Sequence, residues 1–143
     1  MTKNKKRIIA FDLGTKFGWY DGKDGGSVKL NPKRRLIEFW DHLADLVPDT
    51  TAEVAFESPM GLRGNAIYPL MSLRAVLELH CEGLGIPTHG YSPASVKKSF
   101  TGNGRASKDD MKIECSRRGV DPIDDNHADA VAVYNHHILE DRR

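Results

Sequence analysis

Short apolar runs punctuated by turn residues dominate the first part of the chain. Residues 7–13 (RIIAFDL) are apolar and β-branched, too few for a helix, and closed by Gly14, which predicts a buried strand. Across 17–30, Asp21-Gly22 and Gly25-Gly26 fall between aromatic and β-branched residues, the pattern of a hairpin. Three antiparallel strands therefore open the chain. Asn31-Pro32 reads as an N-cap followed by a first-turn proline, and Leu36, Phe39, Trp40, Leu43 and Val47 then recur at helical spacing up to Pro48. Residues 52–56 predict a short buried strand ending at Glu57-Ser58-Pro59. A helix follows over 68–83, with Leu70, Leu73, Val76, Leu77 and His80 on one face, and then a strand over 86–91.

Ser92-Pro93 repeats the cap and first-turn proline and opens a helix to about Phe100; residues 101–106 (TGNGRA) form a loop. Ser107 with Asp110 three residues on predicts a capping box, and Gly119 ends the helix it starts. A last helix spans about 125–140, with Ala128, Val131, Ala132 and Ile138 among its apolar positions. The order is βββ-α-β-α-β-α-α-α. Each later strand joins the sheet through a helix, which implies parallel pairing by right-handed crossovers. The expected fold is α/β, a five-stranded mixed sheet flanked by helices.

A length of 143 residues with 39% hydrophobic and 29% charged positions suits one compact domain over 1–143, with 1–6 as a basic tail. No apolar run approaches the ~18 residues of a membrane span, and the basic start lacks the apolar stretch of a secretory signal, so a cytoplasmic protein is expected. Cys81 and Cys115 have neither disulfide-framework nor metal-site spacing and read as reduced, packed thiols. The six histidines, His136-His137 included, show no zinc-protease spacing and read as surface or partly packed residues.

The net charge of +1 says little, but its distribution says more. Seven basic and three acidic residues lie between Ser92 and Gly119, whereas four aspartates and no Lys or Arg lie between Asp121 and Asp129. Cations for phosphate beside carboxylates for metal are what a nuclease needs. Asp12 and Glu57 each interrupt an apolar strand at its C-terminal end. If those strands are parallel neighbours, both carboxylates emerge at one sheet edge, where α/β proteins place their ligands. Singly, each could cap a helix or pair with Lys16 or Arg63; together they favour a shared cation, because two close carboxylates otherwise repel. Asp129, between Ala128 and Ala130 on the last helix, adds a third acid. This all-oxygen set suits Mg²⁺ or Mn²⁺ and not zinc.

The stretches IIAFDLGTKFGWY, AFESP, YSPASVKKSFTGNGRASKDDM and DDNHADAVAV, in that order from about Arg7 to Tyr134, resemble the RuvC family of Holliday junction resolvases, particularly its small phage-type members. The resemblance implies an RNase H-like fold and metal-dependent cutting of Holliday junctions or other branched DNA. Asp12, Glu57 and Asp129 would hold two divalent metal ions, and Lys97 and Lys108 would contact DNA or the scissile phosphate. It also implies a homodimer, with the 68–83 helix as candidate interface, because resolving a four-way junction takes two symmetric cuts. Lys98, Arg105 and Arg63 complete the expected DNA contacts, and the loop carrying Met60, Leu62 and Arg63 is a candidate wedge.

The family often places an Asp or His three residues before the final-helix Asp, where this chain has Asn126, with Asp125 one step earlier. Both positions share a helical face with Asp129. Hard cations favour the anionic Asp125 as fourth ligand, although a cap at the helix start would occupy it; Asn126 stays open as a direct or water-mediated alternative. Two other functions compete: a YqgF-like RNA-processing nuclease, which SVKKSFTGNGRASKDDM fits less well, and a non-catalytic branched-DNA-binding module, which three well-placed acids disfavour. DLGTKFG also resembles the first phosphate loop of actin-like ATPases, but those need two such domains. TGNGRASK lacks Walker A spacing.

Overall fold

A computed structural model describes residues 7–58 and 64–142. Its elements are β1 (Arg7–Asp12), β2 (Lys16–Tyr20), β3 (Gly25–Lys29), α1 (Arg35–Leu46), β4 (Thr51–Glu57), a 3-10 turn (Gly64–Ala66), α2 (Ile67–Leu84), β5 (Thr88–Tyr91), α3 (Pro93–Thr101), α4 (Lys108–Arg117) and α5 (Asp125–Asp141). The sheet runs β3-β2-β1-β4-β5. The β1–β2 and β2–β3 pairs are antiparallel, while β1–β4 and β4–β5 are parallel. This is the expected five-stranded mixed sheet.

Period-two alternation divides the strands between two cores. Ile9, Phe11, Val54 and Phe56 enter a core with Phe39 and Leu43 of α1 and Leu73, Leu77 and Cys81 of α2. Ala10 and Ala55 enter the opposite core with Val96, Phe100, Met111, Cys115 and the alanine-rich centre of α5. Small residues on both partners let α5 lie close over β1 and β2. Asp12 and Glu57, two residues beyond Ala10 and Ala55, consequently belong to the α5 side of the sheet. Cys81 and Cys115 are free and buried.

Several local signals operate as the sequence predicts. Ser92 caps α3 through a bond from Ser95 N–H, and both capping-box bonds of Ser107 and Asp110 form on α4. The Asn31-Pro32 start of α1 does not. The Asn31 side chain accepts from Lys33 N–H in a preceding turn, and α1 begins at Arg35 without a side-chain cap. Glu38, in the first turn, instead accepts from Asn31 N–H at 3.0 Å. His136 and His137, expected as surface or partly packed residues, are buried, 8% and 1% exposed, because α5 packs against the sheet and against α3 and α4. Among the described residues no helix is long and apolar enough to cross a membrane.

Candidate active site

The parallel register pairs Phe11 with Phe56, so Asp12 and Glu57 follow side by side at the C-terminal edge of the central strands. The N-terminal turns of α5 reach the same edge because of Gly18. This residue pairs with Asp12 across β1–β2, and a Cβ on it would collide with the Asn126 carbonyl. Asp129, one turn further along α5, completes a cluster of three partly buried carboxylates.

Their electrostatics show the proximity. Burial raises Asp12 well above the usual carboxylate range, and the charges of Asp129, Glu57 and Asp124 add to the shift while Lys108 opposes it. Glu57 is pushed up to about 7 by burial and then by Asp129, with Lys97 opposing. Asp129 rises to about 6, mainly from burial; Lys97 and Lys108 oppose this, and Asp125 and Asp124 reinforce it. Three carboxylates raised by burial and by neighbouring acids, with only oxygen donors among them, fit a hard divalent cation, which would relieve the repulsion. Asp12, Glu57 and Asp129 are the residues able to hold it.

A pH dependence follows for the metal-free protein. Glu57 and Asp129 bind protons in the folded state that the unfolded chain, with ordinary carboxylate values near 4, has already released. Their contribution to stability is therefore fullest at low pH and is lost as pH rises toward 7. In EDTA, melting should be lower at about pH 8 than at about pH 5, by on the order of 2 kcal/mol or roughly 5–10 °C. Mg²⁺ at the higher pH should remove most of the difference, and Glu57→Gln should remove part of it. A pH-independent melt would contradict the reading.

The helix start removes the cap alternative for Asp125. The N-cap is Asp124, whose Oδ1 accepts from His127 N–H while Oδ2 accepts from Ser27 Oγ at 2.5 Å and pairs with Lys16 Nζ at 2.8 Å. Burial works against its charge, but the bonds from Lys16, Ser27 and His127 N–H outweigh it and hold Asp124 at about 2. Lys16 thus pairs with Asp124 and not with the strand-end acids. Asp125, in the first turn, lies 3.2 Å from Lys112 Nζ and 3.7 Å from Lys108 Nζ. Asp124→Ala should cost about 1–2 kcal/mol of stability through the lost cap and ion pair. Asp125→Ala should leave the melt within about 0.5 kcal/mol. The reverse order in thermal melts would reassign the cap.

Of the expected DNA-contacting residues, Lys97 on α3 and Lys108 at the start of α4 act electrostatically on the acids. Lys98 and Arg105 are exposed. Arg63, Met60 and Leu62 lie outside the described residues. Lys112 and Asp124 escaped the sequence reading. The run of three acids within Asp121–Asp125 was the available signal for Asp124, but which of them caps α5 depends on Ser27 and Lys16 from distant strands.

Comparison with known proteins gives a consistent set of relatives. The crossover junction endodeoxyribonuclease RuvC of Caldicellulosiruptor saccharolyticus is 30% identical over 156 aligned positions, covering 93% of this chain and 92% of that protein. The protein of the same name from Corynebacterium efficiens is 33% identical over 85 residues, 58% of this chain, and the match spans only 38% of that protein's length. Thermus thermophilus RuvC, solved in complex with a Holliday junction substrate, superposes with a TM-score of 0.81 at 22% identity, over 95% of this chain and 94% of that one. No protein-family model matches the chain.

Proposed function

The chain belongs to the RuvC family, and from that premise we propose that it is a metal-dependent, structure-specific endodeoxyribonuclease that cuts Holliday junctions or similarly branched DNA. The observation that carries the proposal is the meeting of Asp12, Glu57 and Asp129 at one sheet edge, where Asp129 and Glu57 raise Asp12 and Asp129 raises Glu57, with Lys97 and Lys108 beside them. The relatives' name and the junction-bound structural neighbour supply the substrate class.

Asp12, Glu57 and Asp129 would hold two Mg²⁺ ions, with Mn²⁺ able to substitute, and Asp125 or Asn126 would furnish the fourth ligand. Ions held there would supply a water of lowered pKa and charge stabilisation for the leaving 3′ oxygen, chemistry that would leave a 5′-phosphate and a 3′-hydroxyl. The chain's own residues bind and orient the DNA. Lys97 and Lys108 present positive charge to the scissile phosphate across the acidic cluster, and Lys98, Arg105 and Arg63 extend the phosphate contacts. Lys108, at a helix N-terminus and 80% exposed, is held by an exposed pairing with Asp125 and can exchange that partner for the DNA backbone. Replacing both Lys97 and Lys108 with alanine should flatten the log–log salt dependence of junction binding by about two units; an unchanged slope would put the DNA elsewhere.

Two symmetric incisions call for a homodimer. Tyr68, Met71 and Leu79 of α2, with Ile37 and Trp40 of α1, are exposed large apolar residues on the helical layer away from α5, which supports α2 as the interface. The setting is the cytoplasm, where the DNA is. The deciding experiment incubates the protein with labelled four-way junction, fork, duplex and RNA hairpin, with and without Mg²⁺, and sizes the junction complex by light scattering. Paired cuts in the junction that require Mg²⁺, made by a dimer, are expected. Cutting in EDTA, or preferential cutting of RNA, would refute the proposal.

A further inference from the structure

The burial of His137 creates a second cluster, on the same side of the sheet as the acidic site but at the other end. Glu53 lies four residues before Glu57 on β4, about 13 Å away at 3.3 Å per residue. His137 lies eight residues beyond Asp129 on α5, about 12 Å along the helix. His89 of β5 completes the group. Its Nε2 is 3.0 Å from Glu53 Oε1, and His137 Nε2 is 3.6 Å from Glu53 Oε2. One donor atom from each of the three falls within 4.8 Å of the others.

A separate observation points to a ligand. His137 is 1% exposed, and its Nε2 is buried without a hydrogen-bond partner. Its Nδ1 is engaged by the Tyr91 hydroxyl at 2.5 Å. If the phenol oxygen accepts from Nδ1–H, Nε2 turns a bare lone pair toward a carboxylate, an unfavourable pairing unless a cation lies between them. A ring nitrogen fixed by an outer partner while the other faces a carboxylate and a second imidazole is how metal-ligating histidines are held. The tilted His89 and His137 rings, 4.7 Å between centroids, converge on Glu53 from different elements.

The geometry points to a second metal site, formed by Glu53, His89 and His137, that takes Zn²⁺ or another borderline divalent ion and is distinct from the acidic site. Two imidazoles and one carboxylate are a zinc donor set, with a fourth position left to water on the open His89 side. The acidic site, with only oxygen donors, favours Mg²⁺ or Mn²⁺. Bound there, the ion ties β4, β5 and α5 together at the end of the sheet away from the carboxylate trio, and stabilises the fold through mass action.

The test is Zn²⁺ titration of the whole protein by calorimetry in excess Mg²⁺, with thermal melts alongside. Wild type and Asp12→Asn should each bind one Zn²⁺ per chain and melt higher with it. His89→Ala, at a 40% exposed side chain whose loss the fold tolerates, should weaken Zn²⁺ binding at least ~10²-fold and abolish the rise in melting temperature. Glu53→Gln should do the same, and Co²⁺ in place of Zn²⁺ should give the visible absorption of a low-coordinate site in wild type and Asp12→Asn but not in His89→Ala or Glu53→Gln. Should Glu53→Gln fail to fold, the His89→Ala result decides. No Zn²⁺ binding in excess Mg²⁺, affinity unchanged in His89→Ala, or binding lost in Asp12→Asn would overturn the site; the last would assign the zinc to the acidic trio.

Discussion

Replacing Asp12 with Asn should lower the rate of junction cutting by on the order of 10³-fold or more while leaving junction affinity within about threefold of wild type. Asp12 is central to the cluster: it ends the middle strand of the sheet and feels Asp129, Glu57 and Asp124 at once. Asparagine keeps the size and one oxygen but removes the negative charge that a divalent ion requires. The substitution does not touch Lys97, Lys98, Arg105 or Lys108, so the phosphate contacts that dominate affinity persist. It also relieves like-charge repulsion in a partly buried site, so the metal-free variant should melt no lower than wild type and its dependence on pH should weaken. Gel-shift and single-turnover cleavage on one labelled junction separate binding from cutting. A parallel loss of both would show that Asp12 supports the fold or the DNA surface and not the chemistry, and full activity would remove the metal mechanism.

The second large effect comes from Gly18, which bears no functional group. A methyl at this position has no room: its Cβ would meet the Asn126 carbonyl carbon and oxygen and the His127 backbone nitrogen. Because these are backbone atoms at the rigid start of a helix, no rotamer change relieves the contact, and either β2 or α5 must move. Gly18→Ala should therefore cost about 3 kcal/mol or more, at the upper end of overpacking penalties, and should also lower cutting by displacing Asp129 from Asp12 and Glu57. Gly83, near the end of α2 with open space around it, is the matched control. There the same substitution should be neutral or stabilise by up to about 1 kcal/mol through helix propensity. Chemical denaturation of the two variants checks this directly; equal stabilities would mean that β2 and α5 are not held in close contact.

Much of this arrangement is legible in the linear chain, since the forces that set it act over a few residues. Alternation decides that Asp12 shares a face with Ala10 and Glu57 with Ala55. The βαβ connections impose parallel pairing, so two strand-end acids reach one edge. Ser92-Pro93 and Ser107 with Asp110 form their caps from bonds within a single turn. Asn31-Pro32 misleads because the competing bonds, Lys33 N–H to its side chain and its own N–H to Glu38, stabilise a turn ahead of the helix.

Where a side chain's partner comes from a distant segment, only the tertiary structure decides. Asp121, Asp124 and Asp125 look alike in sequence, yet Ser27 of β3 and Lys16 of β2 commit Asp124 to structure and leave Asp125 to the lysines of α4. Seven cations lie between β5 and Gly119 in the sequence, but the packing of α3 and α4 on α5 brings the fields of Lys97 and Lys108 onto the acids. His137 reads as an ordinary polar position near a helix end until α5 is laid along β4 and β5, which buries it against Glu53 and His89. Charge and hydrogen bonding act through space, so their outcome at these positions follows from which elements the fold makes neighbours, and neighbours more than a few turns apart leave no mark in local sequence.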